Sequence, residues 1–386
     1  MKFTINRSDL ITLLSNATKA ISAGSTIPIL QNVQLEIKDD KLLVTSSNTD
    51  LSIVQTYQSD KDHPLADTEN GSMSMPGHFL LNAVKKMSGD TVTIDNTKNE
   101  TRASVTSDRA HFHIPSFPGH QFPRLPEIEN PKHVVISAQD LLTTIKRVRF
   151  ATSDQETRPV LTAVNFILTN PMTVNATDSH RLSICQLTPK SIDDDFDKTP
   201  LNLPQANLKQ IATLLNKVPE DTDVSFDIEP ENSQIKMEFT NYQIYSRQVL
   251  GNYPEVDRLV PENPITKLNI DRSELLGAIE RASLTAHSMQ NLVVNLTLDP
   301  EKSTATLACP TTDSGNASAD EKLIINEMTG EALKISFNPD YMTDALKAFP
   351  SDQVLISFTG NLRPMLIENP EDTTSFKHIL TPIRTY

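Results

Sequence analysis

A short strand that passes through a polar cap into an amphipathic helix occurs three times in this 386-residue chain, at nearly equal spacing. Self-similarity at a long fixed period decides an architecture before local propensities do. The first copy is Phe3-Thr4-Ile5-Asn6-Arg7-Ser8-Asp9-Leu10, continuing through Leu13, Leu14 and Ala17. The second is Val134-Val135-Ile136-Ser137-Ala138-Gln139-Asp140-Leu141, with Leu142, Ile145 and Val148. The third is Leu268-Asn269-Ile270-Asp271-Arg272-Ser273-Glu274-Leu275, with Ala278, Ile279 and Ala282. With Ile5, Ile136 and Ile270 as markers, the steps are 131 and 134 residues.

A second helix recurs halfway through each copy, entered each time through a proline (Pro76, Pro204, Pro339), which suits a first helical turn. After each first helix comes an alternating strand: Val33-Gln34-Leu35-Glu36-Ile37, Val164-Asn165-Phe166-Ile167-Leu168 and Val294-Asn295-Leu296-Thr297-Leu298. Alternation of this kind marks a half-buried antiparallel sheet. The pattern predicts an α+β fold of three repeated domains, each with two helices against antiparallel sheet, spanning 1–125, 126–257 and 258–386. Proline-rich stretches at Pro115–Pro131 and Gly251–Pro264 fall where connectors are needed.

Several function classes are disfavoured. The chain has 10 Gly, well under half the usual share of about 7%. It contains neither G-x-G-x-x-G nor a P-loop, and no H-E-x-x-H or G-x-S-x-G. Two cysteines, Cys185 and Cys309, give neither a disulfide framework nor a cysteine metal site. No cofactor and no metal are expected. Asp178-Ser179-His180 is not read as a catalytic triad, because adjacent side chains project apart. The absence of a long apolar run and of a leader-like start predicts no membrane span and a cytoplasmic protein.

Charge is sorted by element. The chain carries a net −14, yet the six helical windows hold 12 Lys or Arg against 7 Asp or Glu. The helical cations are Arg7, Lys19, Lys85, Lys86, Lys146, Arg147, Arg149, Lys209, Lys217, Arg272, Arg281 and Lys347. Helices sharing one face would make that face basic on an acidic molecule, suited to phosphates rather than to base edges. Helices also collect cations at their C-terminal ends for dipole reasons alone. A peptide-binding scaffold without DNA, and more remotely a hydrolase with scattered residues, are the alternatives that the residues alone leave open.

Three motifs narrow this: Ala176-Thr177-Asp178-Ser179-His180-Arg181-Leu182, Gly251-Asn252-Tyr253-Pro254-Glu255-Val256-Asp257-Arg258-Leu259-Val260-Pro261, and Leu380-Thr381-Pro382-Ile383-Arg384-Thr385-Tyr386. With Arg158-Pro159-Val160-Leu161 and the threefold repeat, they closely resemble the bacterial sliding clamp family, the beta subunit of DNA polymerase III, over the whole chain. The resemblance implies a head-to-tail homodimer closed into a ring. Its helices, with the twelve cations above, would face encircled duplex DNA without reading sequence, and its sheets would lie outside. It implies a non-enzymatic processivity factor with DNA polymerase III, other clamp-binding-motif proteins and a clamp loader as partners. It carries a peptide groove onto Leu161, Thr177, His180, Arg181, Leu182, Pro254, Arg258, Leu259, Ile379, Leu380, Pro382, Ile383 and Arg384, with Arg and His expected to orient the partner's polar groups. It carries a dimer contact onto Phe112, Ile114 and Leu284, for which core packing is the equal alternative. Three positions depart from the family: Ser179 stands where glycine is usual, Thr381 where an apolar residue is usual, and Gly24 where a basic residue is common. Leu161, Leu182 and Leu259, taken singly, also read as core leucines.

Overall fold

The computed structural model describes residues 1–22, 27–193, 196, 200–229, 233–288, 292–309 and 319–384. Gly24, with its neighbours Ala23 and Ser25, lies outside the described residues, as do Thr385 and Tyr386. Among the described residues six α-helices carry the repeat: α1 (Arg7–Ala17), α2 (Gly77–Lys86), α3 (Ala138–Val148), α4 (Gln205–Leu215), α5 (Arg272–Ser288) and α6 (Pro339–Ala348). Each buries one apolar stripe, such as Leu10, Leu13, Leu14 and Ala17 in α1 and Leu208, Ile211, Leu214 and Leu215 in α4. Pro204 immediately precedes α4, and Pro76 is the N-cap of α2. In α6 the Asn338 side chain caps the helix, accepting from the Asp340 N–H at 2.8 Å, with Pro339 at the first position.

Among the described residues every strand pairing is antiparallel, and the strands fall into four sheets. The chain divides into two compact units, residues 1–139 with 190–196 and 206–248, and residues 140–189 with 197–205 and 249–386. In the first unit, a five-stranded sheet ends on the edge strand Ala110–Pro115. Beside it in sequence, a ten-stranded sheet runs from Phe117–Pro118 to Ser191–Ile192. There the strand Leu51–Gln58 pairs with Tyr242–Arg247, so repeats one and two share one ladder. In the second unit, a nine-stranded sheet joins repeats two and three by pairing Arg181–Leu187 with Asp372–Leu380. A four-stranded sheet of Ala319–Leu323, Thr304–Cys309, Val294–Asp299 and Leu333–Phe337 completes that unit.

The unit boundaries therefore cut across repeat two, whose strands are shared with both neighbours. Glycine is used where nothing else fits: at Gly330 (φ +107°) an added Cβ would lie 2.0 Å from the Ile265 carbonyl oxygen.

One expectation is corrected here. Ile114, assigned to a dimer contact, is fully buried in the first repeat's core with Phe3, Ile5, Val92 and Val105, and has no surface to offer a second chain. Phe112, on the same face of the edge strand, is half-buried against that core, whereas Leu284 on α5 is 73% exposed.

Candidate peptide cleft and basic helix faces

The second unit builds a small apolar cleft from the turn between two strands of repeat two. Thr177 ends one strand and Arg181 begins the next. The Thr177 hydroxyl donates to the Arg181 carbonyl at 2.7 Å, and Asp178 Oδ1 accepts from the backbone N–H groups of His180 and Arg181 at 2.8 and 2.9 Å. The Thr177 N–H donates to the Tyr253 hydroxyl at 2.9 Å, which ties the Gly251–Pro261 motif to this turn. Burial pushes the Tyr253 phenol well above its ordinary range, so it stays neutral. On the other side, the Thr381 N–H donates to the His180 carbonyl at 2.9 Å, and the Thr381 hydroxyl donates to the same oxygen. Thr381 thereby spends its polarity inside the fold.

Ser179 holds φ at +77°, the left-handed region that side chains disfavour. This is the physical reason glycine suits the position. The cost to a non-glycine residue is about 1 kcal/mol, partly offset because glycine has more backbone freedom to lose on folding. Ser179→Gly should therefore change stability by less than about 1 kcal/mol, whereas the β-branched Ser179→Val should lower it by about 1–2 kcal/mol. Urea unfolding of the two variants checks this, and equal stability of the two would contradict the strain.

The cleft encloses about 140 Å³ and is lined by Thr177, Ser179, His180, Arg181, Leu182, Leu259, Pro364, Ile379 and Thr381. Six of the thirteen groove positions named from the sequence meet there. Beneath it lies an apolar cluster of Leu182, Ile184, Val256, Leu366 and Ile379, with Tyr253 and Val260 against it. Leu259 projects from a short 3-10 turn at 51% exposure, an apolar side chain left to solvent at the lip. Leu161 and Leu380 are buried and do not line the cleft. Pro254, Arg258 and Arg384 are exposed, and Pro382 and Ile383 half-exposed, outside its lining. Pro364 was not anticipated. The sequence offers only a proline ahead of a strand, and nothing local says that the strand ends at this turn.

The role expected of Arg181 also changes. Its Nε donates to Asp178 at 3.0 Å and its Nη1 to Asp344 at 2.7 Å, while its guanidinium lies over the Tyr341 ring at 4.3 Å. The side chain is held within the fold, fastening the turn to α6, so it forms cleft wall. His180 remains exposed at the rim, with its ring facing that of Tyr341 at 6.4 Å between centroids.

The helical cations divide into free and engaged sets. At the ends of α1 and α4, Lys19 and Lys217 approach each other, and Lys217 donates to Asn16 at 2.8 Å. Burial first, and then the Lys217 charge, lower the Lys19 pKa. Lys85 and Lys86 on α2, Lys146 on α3 and Lys209 on α4 are exposed. In the second unit, Lys146, Arg147 and Lys347 line one cleft of about 380 Å³ together with Asp344. The third repeat is the weak case already in the charge count, where acids outnumber bases by one in each of its two helical windows, and its cations are engaged: Arg281 pairs with Glu321, Lys347 with Glu280 at 3.0 Å, and Arg272 Nε donates to the Ser351 carbonyl at 2.9 Å. Arg7 and Arg149 are half-buried.

Comparison with known proteins agrees in length and fold. Three family models match in order: the N-terminal domain of the DNA polymerase III beta subunit over residues 1–126, its central domain over 135–255 and its C-terminal domain over 257–384. Beta sliding clamps of Staphylococcus epidermidis and Staphylococcus aureus are 34% and 33% identical over 389 residues, covering all of both chains. The crystal structure of the DNA polymerase sliding clamp from Bacillus subtilis superposes with a TM-score of 0.93 at 31% identity, again over the full length of both chains. The beta subunit from Streptococcus pyogenes gives 0.91 at 29%. With all three repeats matched in order, the chain belongs to the DNA polymerase III beta subunit family, the bacterial beta sliding clamps.

Proposed function

We infer that this protein is a DNA polymerase processivity factor, a head-to-tail homodimeric ring that encircles duplex DNA and slides along it. The observation that carries this reading is the sorting of positive charge onto the helices of a chain whose net charge is −14, in a fold matched to clamps from end to end. Phosphate contacts supply affinity without sequence information, which is what a sliding contact needs. The exposed cations Lys85, Lys86, Lys146, Lys209 and Lys217 are the best placed of the twelve to meet the backbone. The three repeats act as domains 1–125, 126–257 and 258–386. Domain one of one protomer closes on domain three of the other, with Phe112 and Leu284 as apolar contacts. The cleft at the 177–181 turn receives a short linear motif from the replicative polymerase, other replication and repair proteins and the clamp loader. The protein works in the cytoplasm and performs no catalysis of its own.

Retention on DNA tests this directly. A loaded protein should remain on a nicked circle and leave once the circle is cut, and its mass in solution should be twice the 42.9 kDa of the chain. Equal, salt-dependent binding to circle and linear duplex would mark an open binder instead.

A further inference from the structure

We propose that His111 and His113 form a two-imidazole site for a divalent transition-metal ion of the zinc, nickel or copper class. Both sit on the edge strand Ala110–Pro115, and residues two apart on a strand share a face. Phe112 and Ile114, between and after them, pack into the core and so fix the strand's orientation. In the single chain both histidines stand exposed on the opposite face of this strand, the same strand whose Phe112 is assigned above to the dimer contact. Their Nε2 atoms lie 3.1 Å apart, with the rings nearly perpendicular at 85°.

That separation is close to what a shared ion requires. Imidazole nitrogens bind zinc at about 2.0–2.1 Å, so two of them on one tetrahedral ion are about 3.3–3.4 Å apart. Opening the pair by a few tenths of an ångström is a small side-chain adjustment. As the pair stands, one Nε2 carries the proton that the other accepts. A metal ion takes that proton's place, and the donating ring shifts to the tautomer protonated on Nδ1.

The surroundings select the class of ion. Imidazole nitrogen suits zinc, nickel and copper, whereas magnesium and calcium prefer oxygen donors. The pair opens into a cleft of about 340 Å³ that also holds Asp95, Ser104, Lys98 and Arg102. Asp95, Ser104 and His113 stand opposite one another across three neighbouring strands. Burial opposes ionisation of Asp95, but the Thr97 hydroxyl and N–H together with Lys2 and Lys98 outweigh it and hold the pKa below its ordinary value. The Asp95 carboxylate offsets part of the positive charge of Lys98 and Arg102, so the two imidazole nitrogens, and not the net charge of the cleft, carry the preference for the ion. Among the described residues, no third His, Cys, Asp or Glu completes a ligand group, so water fills the remaining positions and binding is reversible.

The test is zinc titration by calorimetry on the untagged full-length chain, with Cu(II) electron paramagnetic resonance to count coordinated nitrogens. One ion per chain is expected, with the resonance split by two nitrogens. Affinity should fall at least 10-fold in His111→Ala and in His113→Ala, and stay unchanged in His120→Ala, an exposed histidine outside the pair. The altered side chains are exposed, and circular dichroism should confirm that both variants fold. Undiminished affinity in the double variant, or no binding to the parent chain below about 1 mM zinc, would overturn the assignment.

Discussion

Replacing Leu259 with aspartate should weaken binding of a polymerase-derived clamp-binding peptide by about 100-fold, measured by fluorescence anisotropy, with the fold and the solution mass unchanged. Leu259 is 51% exposed in the free chain, so the change costs little core packing. Covering an apolar side chain of this size on binding is worth about 1.5–3 kcal/mol. A carboxylate in its place would have to lose water against an apolar floor, which costs more. About 2.8 kcal/mol corresponds to 100-fold. The same substitution at Leu161, Leu182 or Leu380 would say nothing about the cleft, because those side chains are buried and the fold itself would suffer. Removing the tail from Leu380 onward carries the same flaw, since Leu380 sits between Arg181 and Met365 in the sheet. Unaltered affinity of Leu259→Asp would refute the cleft as the docking site.

Acid should unfold this protein partly through a single buried histidine. His378 is fully buried in the nine-stranded sheet; its Nδ1 pairs with the Ser183 hydroxyl at 2.9 Å and its ring stacks on Phe150 at 5.5 Å. Its Nε2 has no hydrogen-bond partner among the described residues. Burial, and secondarily the Arg181 charge, push its pKa down to about 3 from 6.5. The unfolded chain takes up this proton below about pH 6.5, while the native chain resists it until about pH 3. Stability is therefore fully present above pH 6.5 and falls with pH across that window, by about 3 kcal/mol between pH 7.5 and pH 4. Urea midpoints over that range should fall less steeply in His378→Gln, which cannot titrate, even though its stability at pH 7.5 is lower. Parallel pH slopes for the two proteins would exclude His378 as the acid-sensitive group.

The helices and the threefold plan were legible because amphipathic periodicity is written within a dozen residues. The alternation His111-Phe112-His113-Ile114 likewise allowed the inward facing of Ile114, against the dimer contact that the resemblance implied for it. Pairings between distant segments left no such trace. The ion pair of Arg181 with Asp344 spans 163 residues, and nothing near Arg181 says that its donors are already committed. Lys347 and Arg281 read as free cations in a charge count, but their partners Glu280 and Glu321 stand on other elements. The cleft was legible in its motifs and not in its depth. Leucines at the lip and in the core look alike until the sheet places them.

The sharing of ladders by repeat two has a consequence for how the molecule can be divided. Its strands lie half in a sheet begun by the first repeat and half in a sheet finished by the third. Excising it, or cutting the chain at either of its borders, would strip whole rows of backbone amides of their mates and leave raw edges prone to sticking. The repeat is a unit of sequence pattern whose backbone pairing runs past its borders, and a minimal fragment of this protein has to be sought along the sheets instead of along the motif spacing.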